Sequence, residues 1–400
     1  MLHLGLGSSL IFNCLILLTD TNYNLTMTIE IREVKSRAQL KTFIHLPARI
    51  HANHTNWVPP VYMDEWVWYN PKKNLAFDYC DTVLYLAYRN NHAVGRIMGI
   101  INHKYNAAKS LKEGRFIFIE TPDDFQVAEA LLQAAENWAK QKGMTSLVGP
   151  LGFSDKDPQG LLIEGFDQPM VISSTCNFPY LPQFVASAGY SKHVDLVVYR
   201  VDIPDEIPPF YQKIYERAVR NNPGLRVVPF TSKKQLKPFI RPVLSLMNDT
   251  FEDIYAFNPL TEIEMDDFAK RYLIVLDHRF LKVIENEKGE LVAFILAMPN
   301  ISEGVRKSKG YVLPFGILHI LRSQKKTRQL DLLLGGIRKD YRNSGLDTIL
   351  GISMLDEARR AGFAFIDSHL ELETNTKMRA EMERMGGKVY KRYRIFRREL

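Results

Sequence analysis

The 400-residue sequence predicts a mixed α/β protein made of two tandem units of one design. Three recurring features predict this. LYLAYRNNHAVGRIMGIIN (84–102) and FLKVIENEKGELVAFILAMPN (280–300) are each two alternating apolar runs around a polar turn, a β-hairpin signature. An amphipathic helix ending at glycine follows each, AENWAKQKG (135–143) and LDEARRAG (355–362), and then an apolar strand, TSLVGPL or FAFIDSHLEL. Finally, ASAGYSKHVDLVVYR (186–200) and ERMGGKVYKRYRIFR (383–397) both carry a glycine at a helix end into a strand. A unit that returns in the same order signals duplication. The length agrees, since a single core seldom grows to 400 residues.

From the N-terminus, residues 1–26 hold the apolar stretch LGLGSSLIFNCLILL with no basic segment before it and too few residues to span a bilayer. A start-site artefact or a disordered leader is the expectation, with translation beginning at Met27; a signal peptide is the weaker reading. TIEIREV then opens a first unit over 27–200. The proline-bearing VDIPDEIPPF (201–210) begins a linker over 201–224, and a second unit occupies 225–400. The copies differ by one insertion each. In the first it is the acidic, glycine-bearing GFSDKDPQGLLIEGFDQP; in the second it is close to ISEGVRKSKGYVLPFGILHILRSQKK. Inserted loops of this kind often build binding surfaces.

Hydrophobic residues at 46% and charged residues at 24% describe an ordinary globular chain. No segment after the leader reaches the apolar length of a membrane span. A net charge of +7 and a pI near 9.0 favour anionic partners: phosphorylated cofactors, nucleic acid or an acidic membrane surface. Cys14, Cys80 and Cys176 have no paired spacing, which suits a reducing cytosol and argues against a disulfide framework or a zinc site. His51 and His54 lie three apart without further ligands nearby, so no metal is expected.

LLLGGIRKDYRNSGLDTIL (332–350) is the most chemically suggestive stretch. A buried strand stops on glycines, turns through a basic loop and starts a helix. Backbone N–H groups at such a helix start are free to hold an anion, typically a phosphate. A simple turn is the alternative.

With these residues in view, the chain resembles the Gcn5-related N-acetyltransferase (GNAT) superfamily over essentially residues 30–400, as two tandem units. The resemblance implies that each is a twisted, mostly antiparallel mixed sheet flanked by helices. In that family a Q/R-x-x-G-x-G/A loop grips the pyrophosphate of coenzyme A. Ile337, Arg338, Arg342, Asn343, Ser344, Gly345 and Leu346 fall on or beside the motif, with Asp347 in place of its last small residue. ELETNTKM (371–378) resembles the fifth strand and the Asn-bearing start of the last helix, which adds Asn375; MGGKVYKRYRIF resembles the closing strands. The first copy has FIFIETPDDFQVAEALL (116–132) at the corresponding place, acidic and without R-x-x-G, so coenzyme A binding is expected only in the second. HTNWVPPVY, NPKKN, VGPLGFSDKDPQGLLIEGFDQP and YVLPFGILHIL are similar to a group of bacterial tandem GNAT proteins that includes ceramide synthases, which N-acylate a sphingoid base.

Such chemistry needs a base for the amine, a stabilised oxyanion and an acid for the thiolate. Glu371 and Glu373 end a strand near the expected opening, on one face if alternation holds, and Asp331 opens the preceding strand. Tyr390 or Tyr393 would serve as acid; exposed polar positions on a solvated sheet are the plainer reading of all four. Asp155, Asp157, Glu164 and Asp167 would line a pocket for a cationic amine, or else belong to a loop that only packs the units together. GYVLPFGILHIL, flanked by Arg306, Lys307, Lys309, Arg322, Lys325, Lys326 and Arg328, suits an anionic membrane, an acyl chain, or a core helix with solvated ends. KVYKRYRIFRR interleaves aromatics and bases; alternation places Tyr and Phe on a core face and the bases on the wet one, so no nucleic acid is expected.

The expected protein is a cytoplasmic acyl-CoA-dependent N-acyltransferase, in peripheral contact with the inner face of the membrane through 305–328. Its acceptor is a small-molecule amine, a long-chain lipid amine by preference. A non-catalytic acyl-CoA- or lipid-binding protein and an aminoacyl-tRNA-dependent transferase are the alternatives.

Overall fold

The computed structural model describes residues 28–400 except 173, 253 and 273–275; the expected leader and its Met27 start lie outside that range. The first half contributes strands β1 (Glu30–Glu33), β2 (Cys80–Arg89), β3 (His92–Asn102), β4 (Glu113–Glu120), β5 (Ser146–Gly149), β6 (Leu161–Glu164) and β7 (Ser191–Asp202). The second contributes β8 (Arg226–Val227), β9 (Leu281–Glu285), β10 (Leu291–Pro299), β11 (Gln329–Ile337), β12 (Phe365–Asp367), β13 (Glu371–Leu372) and β14 (Lys388–Glu399). Both predicted hairpins form, as β2–β3 and β9–β10. Helices α1 (Arg37–Ile50), α2 (Tyr62–Trp68), α3 (His103–Lys109), α4 (Phe125–Gln141) and α5 (Tyr180–Ser187) pack on the first half. On the second are α6 (Pro209–Arg220), α7 (Lys237–Thr250), α8 (Glu262–Tyr272), α9 (Ser302–Lys307), α10 (Gly316–Lys326), α11 (Leu346–Arg360) and α12 (Thr376–Arg384). The segment 201–224 finishes β7 and carries the whole of α6.

All strands join one sheet, ordered β1-β2-β3-β4-β5-β14-β7-β12-β11-β10-β9-β8, with β6 on β14 and β13 on β7. Most pairs are antiparallel; β4–β5 and β11–β12 are parallel, each joined through the long helix α4 or α11. The closing strands are exchanged. β14, the last strand of the second half, lies between β5 and β7, while β7 pairs with β12 of the second half. The centre of the sheet is therefore the β14–β7 pair, running from Lys388↔Arg200 to Arg397↔Ser191.

This position corrects one expectation about β14. Lys391 is not on a wet face: it is 1% exposed and alternates in phase with the fully buried Tyr393 and Ile395. As an interior strand of the sheet, β14 has a core face that admits a base only with a partner. Asp367, 1% exposed on β12, supplies it, with Lys391 Nζ 3.3 Å from Oδ2.

Where β4 and β5 part beyond Arg115↔Val148, the first half is filled. Trp68 sits 5.1 Å from Phe118 and 4.7 Å from Phe153, ring to ring, and buried Arg115 donates to the carbonyls of Gly152 and Phe153. Aromatic rings occupy the space that the second half leaves open.

Candidate active site

In the second half β11 and β12 pair only over Gln329–Asp331 and Phe365–Asp367. Beyond that, β11 runs on beside β10 to Ile337, while the other chain breaks away at His369 and returns as β13 on β7. His369 adopts φ +61°, sparsely populated for a non-glycine residue, and its N–H donates to Asp367 Oδ1 at 2.8 Å. The predicted strand FAFIDSHLEL is thus two short strands with a kink. Between the parted strands lies a mostly apolar cavity of about 260 Å³. Leu333 and Leu334 line one side, His369 to Leu372 the other. Val243, Leu244, Met247 and Phe251 of the α7 region lie against it, and Asp155 and Lys156 enter from the first half's insertion.

Glu371 is the acid group set into this wall. Burial alone raises its carboxyl to about 8. His369 is its neighbour along the lining. Burial lowers that imidazole below its ordinary range, and Leu370 N–H donates to Nδ1 at 2.7 Å, which leaves the ring proton on Nε2. Behind them is a buried polar cluster. Asn300 and Gln329 donate to the Asp331 carboxyl at 2.7 and 2.8 Å, and Tyr390 donates to Asp367 Oδ2. Burial, and then the nearby Asp367 charge, hold Asp331 well above the usual carboxylate range.

The alternation argument that put Glu371 and Glu373 together does not hold, because regular strand ends at Leu372. The Glu373 carboxylate turns back onto β7, accepting from Asp195 N–H at 3.0 Å and Lys192 Nζ at 2.8 Å; burial pushes it up, but the Lys192 and Asp195 N–H bonds with the Lys192 charge together keep it below its ordinary range. The tyrosines lie elsewhere as well. Tyr393 is fully buried with its hydroxyl against Met170 Sδ at 3.4 Å, and burial raises both phenols far above the usual range. Of the four acids in the first insertion, Asp155 lines the cavity, paired with Lys156 at 3.0 Å and raised by burial. Asp157 accepts from Trp68 Nε1 and Ser154 N–H; Glu164 pairs with Arg392 at 3.3 Å; Asp167 accepts from its neighbour Gln168.

The basic loop follows β11 directly. Gly345, at φ +85°, caps α11, and the exposed Asn343 takes φ +64°. Among the described residues, no acceptor within the protein takes the amides of Asn343 to Thr348; Ile349 N–H is the first to close a helical bond, to Gly345 O. Asn222 of the α6 end donates to Ser344 O at 2.8 Å and Ser344 Oγ to Tyr341 O, so the loop is held from behind. Arg342 is exposed, its guanidinium reaching only Ile337 O and Thr250 O at 3.4 and 3.5 Å. Thr250 adjoins Phe251 of the cavity wall. Arg338 is committed to Asp340 and Glu290, Ile337 ends β11, and Leu346 is fully buried. Asp347 hydrogen-bonds Glu381 of α12, whose carboxyl is raised by burial and then by the Asp347 charge. Asn375 caps α12, accepting from Met378 N–H at 3.3 Å, and lines the cavity. The structure therefore gathers Glu371, Asp155 and Asn375 at one cavity, with Arg342 beside it. Sequence reasoning missed His369 and Lys156, which only the kink and the inserted loop bring there.

No protein-family model matches the chain. It is 32% identical over 374 residues to the bacterial ceramide synthase of Caulobacter vibrioides (strain NA1000 / CB15N), covering 92% of this chain and 96% of that one. The chain belongs to the bacterial ceramide synthase family. Membership makes it an N-acyltransferase. It is also 29% identical over 381 residues to the protein YghO of Escherichia coli (strain K12), covering 92% and 95%. Two solved structures share its fold. A tandem GNAT protein from the clavulanic acid biosynthesis pathway gives a TM-score of 0.53 at 12% identity, over 93% of this chain and 98% of that one. A GCN5-related N-acetyltransferase from Sphaerobacter thermophilus gives 0.51 at 14%, over 93% and 95%. The family member described here thus has the tandem GNAT fold that the resemblance implies.

Proposed function

We propose that the protein transfers a fatty acyl group from acyl-CoA to the amine of a long-chain lipid, a sphingoid base being the favoured acceptor, at the cavity beside Glu371. The observation that carries this reading is the cavity itself: a mostly apolar chamber between parted strands with a carboxyl raised to about 8, Glu371, among Leu333, Leu334, Leu370 and Leu372. Alkyl chains suit such walls, and a few polar groups orient the reacting end. The ceramide synthase relative bears a name that fits the same acceptor class.

A lipid amine is an ammonium near neutral pH and cannot attack until it loses a proton. Glu371, with its proton affinity lifted to about 8, is better matched to that transfer than an ordinary glutamate. The freed nitrogen bonds to the thioester carbonyl carbon, the C–S bond breaks, and the second nitrogen proton leaves with the thiolate. Asp155, which also lines the cavity, is available to attract the ammonium before reaction. The donor fits the loop, whose six amides lack acceptors within the protein beside an exposed Arg342. Arg342 and the amides of Asn343 to Thr348 would hold its pyrophosphate, and the helix start at Leu346 adds a favourable dipole. With its corresponding opening filled by Trp68, Phe118 and Phe153, the first half serves as the partner that supplies one cavity wall.

A thiol-release screen of acetyl- and palmitoyl-CoA against sphinganine, polyamines and amino acids tests this. Release from palmitoyl-CoA that depends on sphinganine is expected. Preference for acetyl-CoA with a polyamine would overturn the lipid assignment.

A further inference from the structure

Ten large hydrophobic side chains are exposed among the described residues, and five fall within eleven positions: Tyr311 (54%), Leu313 (64%), Phe315 (71%), Leu318 (62%) and Leu321 (43%). They occupy the second half's insertion, on the loop between α9 and α10 and on α10. Clustering of this kind on a soluble surface marks a contact site. The hairpin's inner side is well anchored, so the outer face is not a loosely folded segment. Val305 and Ile320 pack with Met298 and Ile301, Gly304 lies close against Ile320, Gly310 O accepts Tyr62 N–H at 3.1 Å, and Arg306 donates to Thr55 O at 2.9 Å.

The same segment is strongly basic. Arg306, Lys307, Lys309, Arg322, Lys325, Lys326 and Arg328 are all exposed, against one acid, Glu303, between 302 and 328. A second copy of the chain would bring two such basic surrounds face to face, which disfavours a symmetric dimer here. An anionic bilayer satisfies both features, taking the apolar side chains below its headgroups and the bases among them. No helix among the described residues is long and apolar enough to cross a membrane.

We propose that the α9–α10 hairpin docks the protein on an anionic lipid surface. Its place in the fold gives the docking a use: Leu333 lines the reaction cavity and also packs against the hairpin's buried side. The docked face is thus one layer from the chamber where a lipid amine would react. Only this use rests on the proposed function; the docking stands on exposure and charge.

Co-sedimentation of the purified full chain with phosphatidylcholine vesicles, with and without phosphatidylglycerol, tests it at low and high salt. Binding should be about tenfold tighter or more on the anionic vesicles and should weaken as salt rises. The double variant Phe315→Ser/Leu318→Ser should lose about tenfold or more of that binding. Its thiol release with detergent-dispersed substrates should be unchanged, because neither residue lines the cavity. Absence of binding to anionic vesicles, binding that the variant retains, or a concentration-dependent dimer abolished by the same substitutions would overturn the proposal. Inactivity of the wild type with every lipid amine, alongside intact vesicle binding, would instead overturn the functional reading alone.

Discussion

At Glu371 an isolated carboxyl is held in an apolar wall, a placement that costs stability and gains basicity. Its folded proton affinity lies above its unfolded one, so its contribution to stability is fully present below about pH 4.5 and is lost as pH rises toward about 8. Catalysis runs the other way. A base must be deprotonated, so kcat/KM should climb with pH and level off above about pH 8. Glu371→Gln should lower kcat by about 10²–10⁴-fold, remove that acidic limb and leave acyl-CoA affinity intact. A variant with an unchanged rate and profile would free Glu371 of the role. Arg342→Ala tests the donor end. Losing a charged phosphate contact should raise the KM for acyl-CoA about ten- to hundredfold, with no effect on a truncated acyl thioester that lacks the pyrophosphate. Equal effects on both donors would show that Arg342 shapes the loop rather than binds phosphate. Arg342 was legible in sequence because its motif is local: strand, basic turn, glycine, helix. Glu371 could not be separated from Glu373 that way. The difference arises at His369, whose positive φ ends the first strand and leaves only two residues of β13 before the chain turns.

Among the elements, the hairpins and the glycine-ended helices could be read because periodicity is written into neighbouring residues. What could not be read was the environment of each strand face. KVYKRYRIFRR has the alternation of a half-wet strand, yet β14 is flanked by β5, β6 and β7, and Lys391 is sealed against Asp367 and the carbonyl of Pro169. A buried charge whose partner is removed is costly, whereas a matched apolar pair is tolerated. Lys391→Met should therefore lower unfolding free energy by about 3–5 kcal/mol in denaturant titration. Asp367→Asn in the same background should recover part of that loss, since it removes the stranded carboxylate. Failure of the second change to rescue would mean that Lys391 matters for packing against Tyr390 and Pro169 rather than for charge.

The repeat predicts two units, but not which unit each closing strand completes. β7 and β14 have similar alternation, and exchanging them leaves every local pattern intact, so the choice is made only when both halves are present. The physical result is a single sheet in which neither half has its own closing strand. Two independent units would melt separately, and losing the C-terminal strand would harm only the second. Here, removing residues 388–400 takes away the partner of both β5 and β7, strands of the first half, and leaves their edges exposed in the middle of the sheet. The intact chain should unfold in one cooperative transition, seen alike by the tryptophans, which all lie in the first half (Trp57, Trp66, Trp68 and Trp138), and by far-ultraviolet dichroism. The truncated chain should lose tertiary signal from those first-half tryptophans although every deleted residue belongs to the second. A truncated protein whose tryptophan emission and melting temperature match the parent's would show that the first half is complete without β14.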